Sequence, residues 1–128
     1  MLVEQAISEK TDETAYMRLL SEKMKNKNDK EIVRGISADG EKHRLMFLKI
    51  YENISGERYG GGFSPTPPDD TILRSFEVNI FNLSSNVEFY RKIYNFVKDE
   101  EIRDILFEII TDELLNMQKF SYLYSKYK

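Results

Sequence analysis

The side chains of this sequence that could do chemistry are polar residues that interrupt apolar helical stripes. His43, the only histidine of the chain, lies in one such stripe, one helical turn after Asp39. Glu113 and Asn116 interrupt a second stripe near the end of the chain. Burying a polar group without a partner costs about 1–3 kcal/mol, so these positions need a polar neighbour or a bound ion. An imidazole combined with carboxylates is a donor set for iron, manganese or zinc.

Breaks in the helical pattern divide the chain into four segments. Only three prolines and six glycines are present, and most of them fall within residues 55–70. Two shorter polar interruptions, at residues 25–29 and 98–101, each offer an aspartate as a helix N-cap. The predicted helices are residues 2–25, 30–54, 70–97 and 99–126, with a linker at 55–69.

Within each segment the apolar residues recur in steps of three and four, which is the period of a helix buried on one face. This spacing leaves no segment for a strand. Short links after the first and third helices, and a long one after the second, predict two antiparallel hairpins joined by a crossover between helices two and three. We expect a single all-α domain, a four-helix bundle that spans residues 1–128.

An internal repeat relates the second and fourth helices. A shift of 73 residues superimposes five identical pairs, which are Ile32 on Ile105, Ile36 on Ile109, Asp39 on Asp112, Phe47 on Phe120 and Tyr51 on Tyr124. The same shift places His43 on Asn116, so the polar interruptions fall at one level of the bundle. Shared core demands or a duplication would explain the identities, and a duplication predicts two similar hairpins related by a pseudo-two-fold axis.

Composition removes several classes of function. The net charge of −3 offers no excess positive field for nucleic acid, and the absence of cysteine removes disulfides and thiolate chemistry. No segment reaches the roughly 20 apolar residues of a membrane span, so we expect a cytoplasmic protein without a membrane partner. The glycines at 60–62 lack the Lys-Ser or Lys-Thr of a phosphate loop. A single histidine placed in a bundle interior makes a hydrolase triad a poor interpretation.

Four stretches of the sequence resemble the helices of a known superfamily. The stretches "DGEKHRLMFLKIYENISGE" and "EIRDILFEIITDELLNMQKFSYLYSKYK" resemble the second and fourth helices of ferritin-like proteins, in particular small rubrerythrin-like proteins without a rubredoxin domain. The stretches "SEKTDETAYMRLL" and "VEFYRKIYNF" resemble the first and third helices. The resemblance covers nearly the whole chain and implies a ferritin-like bundle with a di-iron centre for peroxide reduction or iron oxidation.

In that family the first and third helices each give one glutamate, and the second and fourth each give Glu-x-x-His. Carried onto this chain, the resemblance keeps His43 in helix two and Glu113 in helix four. The first-helix carboxylate is either Glu13 or Asp12, and the two alternatives stay open. With Asp39 as a possible fourth oxygen donor, these residues form what we call the residual site.

Three ligand positions implied by the resemblance are lost. Gly40 stands where helix two should carry its glutamate, and Leu83 replaces the glutamate of helix three. Asn116 stands in place of the histidine of helix four. The second iron of the family would therefore keep too few ligands to bind.

The resemblance with these losses predicts a non-catalytic binding or structural bundle without a cofactor, acting as a homodimer or with an unknown protein partner. The alternative is a metal-dependent oxidoreductase or peroxidase with one Fe, Mn or Zn ion at the residual site. In that alternative Tyr16 or Tyr90 would supply a proton or an electron. Tyr59 and Phe63 in the linker would pin the crossover onto the bundle or contact a second subunit.

Two local expectations follow for the metal-free protein. His43 would be a buried imidazole hydrogen-bonded to Glu113 or to Glu13. Gly40, which costs about 1 kcal/mol relative to alanine inside a helix, would leave room for a ligand, a water or a neighbouring side chain such as Tyr16.

Overall fold

A computed structural model describes residues 2–61 and 71–128 of the chain. Its elements in chain order are α1 (Leu2–Lys23), α2 (Lys27–Ser55), α3 (Ile72–Phe96) and α4 (Glu100–Tyr127). Within these residues there is no strand, so the prediction of an all-α four-helix bundle is confirmed. Each predicted helix end lies within three residues of the observed one.

Helix starts follow from side-chain caps. Asp99 caps α4 as predicted, accepting a hydrogen bond from Ile102 N at 3.1 Å. The predicted aspartate cap of α2 is wrong, because Asn26 caps that helix and accepts from Asp29 N at 3.0 Å. α2 therefore begins three residues earlier than expected. It ends at Gly56, whose φ of 72° is a left-handed conformation that glycine adopts without strain.

Asp29 does not cap α2, and instead it joins the first turn of α2 to the last turn of α4. Its carboxylate is buried, and it accepts a hydrogen bond from the Tyr127 hydroxyl at 2.7 Å and another from Lys126 Nζ at 3.0 Å. Burial raises the pKa of a carboxyl group, but here these two partners outweigh burial and hold the pKa of Asp29 below its usual value.

α1 packs chiefly against α2, and α3 packs chiefly against α4. The apolar core is divided into two clusters. The first apolar cluster includes Ile7, Phe47, Tyr90, Ile93 and Ile109, and the second includes Met17, Ile36, Phe76, Leu83 and Phe120. Along every helix a polar stretch separates the residues of the two clusters, so the core has a polar layer between two apolar ends.

The burial pattern follows the 73-residue repeat. The seven buried residues of α4 are Ile102, Leu106, Ile109, Glu113, Asn116, Phe120 and Leu123. Each lies 73 residues after a buried residue of α2, namely Asp29, Val33, Ile36, Gly40, His43, Phe47 and Ile50. α1 and α3 share buried positions at the same shift, including Lys10 with Leu83 and Met17 with Tyr90. The two halves of the chain therefore bury equivalent positions.

The start of the predicted linker is held against the first apolar cluster. Tyr59 is half-buried, and its ring centroid lies 5.8 Å from that of Tyr51 in an edge-to-face contact. Tyr59 thus pins the residues that follow α2 onto the bundle, whereas Phe63 lies outside the described residues. In the part of the chain that the structure describes, no helix is long and apolar enough to cross a bilayer.

Candidate functional site

The candidate site is the polar layer between the two apolar clusters. All four helices contribute to it, and the spacing of three or four residues keeps the side chains of each helix on its inner face. Its members are Lys10 and Glu13 of α1, His43 of α2, Asn86 and Tyr90 of α3, and Asp112, Glu113 and Asn116 of α4.

Lys10 is the centre of the polar layer. Its side chain is 1% exposed, and Nζ donates to Glu13 Oε1 at 2.9 Å and to Glu113 Oε1. Burial lowers the pKa of a lysine, but the two carboxylates outweigh burial and raise the pKa of Lys10 well above its usual value. Lys10 is therefore a fixed positive charge at neutral pH and not a nucleophile.

Glu13 and Asp12, the two alternatives for the first-helix carboxylate, lie in different surroundings. Glu13 belongs to the polar layer, where Oε1 contacts Lys10 and Oε2 accepts from Asn86 Nδ2 at 2.6 Å. Asp12 is exposed and lines an open groove between α1 and α3. The structure brings Glu13 to the site and leaves Asp12 outside it.

His43 is fully buried, and its Nε2 lies 2.8 Å from Asp112 Oδ2. Because an ionised carboxylate only accepts, Nε2 carries the proton of this hydrogen bond. Asp112, rather than Glu113 or Glu13, is thus the hydrogen-bond partner of His43. Burial raises the pKa of Asp112, yet the hydrogen bonds from His43 and Lys42 outweigh burial and lower that pKa.

A second hydrogen bond joins the residues that are equivalent to His43 and Asp112 in the other half of the chain. Asn116 Nδ2 donates to Asp39 Oδ2 at 3.4 Å, and the 73-residue shift converts this pair into His43 and Asp112. Asp39 therefore lies at the edge of the polar layer, and its carboxylate is bonded to Asn116 rather than to the other residues of the residual site. The two contacts are a pseudo-symmetric pair across the α2–α4 seam.

Glu113 has one carboxylate oxygen on Lys10, and this Oε1 also lies 3.6 Å from His43 Nδ1. Burial raises the pKa of Glu113, but the combined effects of Lys10 and the neighbouring His43 outweigh burial and lower that pKa. Four buried polar atoms of the layer have no hydrogen-bond partner among the described residues, namely Glu113 Oε2, His43 Nδ1, Asn116 Oδ1 and the Tyr90 hydroxyl. Burial also raises the pKa of the Tyr90 hydroxyl, whose ring lies 5.5 Å from Lys10 Nζ.

Gly40 is explained by a close contact with α1. A Cβ atom at this position would overlap Thr14 Oγ1, and the rest of the Thr14 side chain lies within 4 Å. Thr14, and not Tyr16, occupies the space that Gly40 leaves. The Tyr16 hydroxyl instead donates to Ser75 Oγ at 3.1 Å, away from the polar layer. Leu83 is 1% exposed and belongs to the second apolar cluster.

The polar layer does not fit a metal ion while Lys10 is in place. Both carboxylates of the residual site that reach the layer, Glu13 and Glu113, bind the Lys10 ammonium, which competes directly with any cation. The proton on His43 Nε2 is directed at Asp112. Across residues 2–61 and 71–128 no three histidine, aspartate or glutamate side chains are grouped closely enough to hold an ion. The arrangement is an internally neutralised ionic network.

Comparison with known proteins gives the fold alone. No family model and no curated protein matches the sequence. A solved structure of a hypothetical protein from Pyrococcus furiosus is similar, with a TM-score of 0.86 and 20% sequence identity. The similarity covers 97% of this chain and 86% of the other. At this identity the four-helix architecture is shared, and nothing about activity follows.

The sequence analysis missed Lys10. A signal for it was present, because Lys10 stands in the apolar stripe of the first helix between Ile7 and Met17. The 73-residue shift also places it on Leu83, a position already identified as part of the core. The pairing of Glu13 with Asn86 follows from the same shift, since these two residues are also equivalent.

Proposed function

We propose that this chain is a ferritin-like bundle in which the Lys10 ammonium has taken the place of a metal ion, and that it acts as a non-catalytic binding or structural module. The single observation that carries the proposal is the buried Lys10 between Glu13 and Glu113. An ammonium fixed at that point supplies the positive charge that two buried carboxylates require, so the fold keeps its polar layer without a metal.

The repeat strengthens this interpretation. Leu83 stands at the position of the third-helix glutamate in the resemblance, and Lys10 is its equivalent in α1. In this proposal Lys10, rather than Glu13 or Asp12, occupies the first-helix ligand position. Of the six ligand positions only His43 and Glu113 then keep their residue types. The proposal includes the two-hairpin crossover topology of that superfamily and a cytoplasmic location.

Metal content tests the proposal directly. Protein purified without chelator and then reloaded anaerobically with Fe(II) is analysed for iron, manganese and zinc. We expect far less than one ion per chain for the unaltered protein. Near-stoichiometric metal that disappears in a His43→Ala variant would overturn the proposal.

The alternative function is a metal-dependent oxidoreductase or peroxidase. The observation in its favour is that three of the four unpartnered atoms in the polar layer are Glu113 Oε2, His43 Nδ1 and the Tyr90 hydroxyl. If Lys10 turned away, Glu113 and His43 could hold one Fe, Mn or Zn ion beside Tyr90. The same loading experiment decides, because this alternative requires stoichiometric metal in the unaltered chain.

We further propose that the module forms a homodimer through the outer face of α4. Four large apolar residues lie along this face, and they are Phe107 (60% exposed), Leu114 (45%), Leu115 (54%) and Tyr122 (55%). Their equivalents in α2 under the 73-residue shift are all charged, namely Arg34, Glu41, Lys42 and Lys49. At these four positions α4 is apolar and α2 is charged, and a group of exposed apolar residues on one helix is typical of an interaction surface.

The partner that we propose for this face is a second copy of the chain. Its four apolar side chains carry no charge that would repel the same side chains of a second copy, and the stretch of α4 from the first to the last of them is about 22 Å long. In sedimentation analysis we expect Leu115→Lys, which introduces the residue found at the α2 equivalent, to shift the chain to monomer. A monomeric unaltered protein at roughly millimolar concentration would reject this interface.

A further inference from the structure

A groove between α1 and α2, on the outside of the bundle, is lined by arginines and small residues. Its volume is about 700 Å³, and it is separate from the polar layer. We call it the arginine groove, and its principal residues are Thr14, Ala15 and Arg18 of α1 with Arg34, Ala38 and Arg44 of α2.

The groove lies at positions where the first half of the chain has polar residues and the second half has apolar ones. Ser37 and Arg44 line the groove, and their equivalents in α4 are Ile110 and Met117. Ile110 and Met117 are partly buried and pack against the two apolar clusters. The seam between α3 and α4 is thus filled at positions that remain open between α1 and α2.

The charge of the groove is opposite to that of the chain. Three guanidinium groups and one carboxylate line it, although the net charge of the whole sequence is −3. Arg34 uses one nitrogen for Glu31 at 3.0 Å, which leaves its other donors available. The Arg18 guanidinium makes no hydrogen bond or ion pair with the described residues, although the Arg18 carbonyl accepts from Ser21 Oγ. Positive charge is therefore concentrated at one end of the groove.

Arg18 and Arg34 lie at the same level of the α1–α2 seam. The Ser37 hydroxyl donates to the Thr14 carbonyl at 3.0 Å, which fixes the pairing of the two helices at that point. Arg18 follows Thr14 by four residues and Arg34 precedes Ser37 by three, so both extend from it in the same direction along the seam. The two guanidinium groups can contact one anion from opposite sides.

Polar groups without charge continue the groove beyond this end. Thr14 Oγ1 is buried and has no hydrogen-bond partner in the described chain. Ser37 Oγ donates to a backbone carbonyl and keeps its acceptor capacity. Ala15 and Ala38 give an apolar wall between these hydroxyls, and Arg44, ten residues from Arg34 and so about 15 Å along α2, closes the far end.

We propose that the arginine groove binds a small organic anion. Its phosphate or carboxylate group lies between Arg18 and Arg34, because a guanidinium presents paired donors that match the oxygens of either group. The body of the ligand covers Ala15 and Ala38. This inference does not rest on the proposed function, since the groove and the polar layer share no charged residue.

Calorimetric titration with pyrophosphate and, separately, with citrate tests the site and distinguishes the two anion classes. For probes of this size we expect saturable binding with a Kd near 1 mM or below. Arg18→Gln and Arg34→Gln should each weaken binding of the preferred probe at least tenfold. Ala38→Met, at an exposed position, should also weaken it tenfold by filling the groove without changing any charge.

Arg74→Gln is the matched control. Arg74 forms an i,i+3 pair with Glu77 and is 57% exposed, as Arg34 pairs with Glu31 and is 54% exposed, but it lies on α3 outside the groove. We expect this variant to bind as the unaltered protein does. Equal weakening by Arg74→Gln, or no saturable binding of either probe at roughly 10 mM, would overturn the proposal. Circular dichroism of each variant verifies that the fold is retained.

Discussion

The two halves of this chain, α1–α2 and α3–α4, bury many equivalent positions but fill several of them with different residues. Lys10 of the first half is equivalent to Leu83 of the second, and Gly40 is equivalent to Glu113. On the surface the difference is reversed, because α2 is charged where α4 exposes Phe107 and its apolar neighbours. The packing of the four helices thus determines which positions are buried, whereas the residue type at a buried position differs between the two halves.

Where the two halves meet, their different residues form complementary polar contacts. Lys10 of the first half neutralises Glu113 of the second, and His43 meets Asp112. Asn116 meets Asp39, and Asn86 donates to Glu13. Each of these contacts joins one half to the other. We infer that the polar layer selects how the halves dock, since two apolar faces alone would tolerate several alignments.

Replacing Lys10 by the residue of the other half is expected to give the largest effect. Lys10→Leu leaves Glu13 and Glu113 in the interior without their cation, and breaking a buried pair from one side costs about 3–5 kcal/mol. The free energy of unfolding, measured with urea at pH 7, should fall by about 3 kcal/mol.

The double variant Lys10→Leu, Glu113→Leu is the control for this experiment. It removes the buried pair and leaves Glu13, which is 13% exposed and keeps its hydrogen bond from Asn86, so its stability should return to within about 1 kcal/mol of the unaltered protein. A Lys10→Leu variant as stable as the unaltered protein would show that the ammonium has no role in joining the halves.

Acid should weaken the contact between the halves by a smaller amount. The pKa of Glu113 and that of Asp112 are lowered in the folded protein, so their contributions to stability are complete above the unfolded pKa values of about 4. These contributions are lost as the pH falls below that value and through the lowered pKa values. Urea unfolding at pH 7, 5, 4 and 3 should show a plateau and then a decline.

The comparison is sharpened by repeating the pH series on the double variant, in which Glu113 is absent. Its decline should be shallower, because one of the two carboxylates with a lowered pKa has been removed. Identical acid profiles for the two proteins would mean that Glu113 does not contribute to the decline and that other carboxylates, such as Asp29, account for it.

Much of the fold was predictable from the sequence because it depends on apolar periodicity and breakers. The four helices and the interrupted stripes at His43 and Glu113 were found in this way. The N-cap of α2 was not, since Asn26 and Asp29 are both good caps and only the burial of Asp29 against Tyr127 separates them.

The content of the polar layer was harder to predict, because it depends on which side chains meet across the bundle. Sequence analysis predicted a hydrogen bond from His43 to Glu113 or to Glu13, whereas its partner is Asp112, the residue next to Glu113 on α4. A shift of one residue on a helix turns a side chain by about 100°. Lys10 was missed for a related reason, since a lysine is almost never fully buried unless it is paired, and its pairing depends on distant residues.

Gly40 gives the smallest predicted effect and the most direct test of how α1 and α2 fit together. Replacing a helical glycine by alanine stabilises a helix by up to about 1 kcal/mol when the new Cβ meets nothing. Gly35, on the same helix and exposed, is such a position, because a Cβ atom added there would have no neighbouring atom within 4 Å.

At Gly40 the Cβ overlaps Thr14, so Gly40→Ala should be less favourable than Gly35→Ala by about 1 kcal/mol or more. Adding Thr14→Ala should restore the gain at Gly40 because it removes the overlapping hydroxyl. Equal gains at Gly35 and Gly40 in thermal unfolding would mean that Thr14 moves aside freely and that the close approach of the helices does not require glycine.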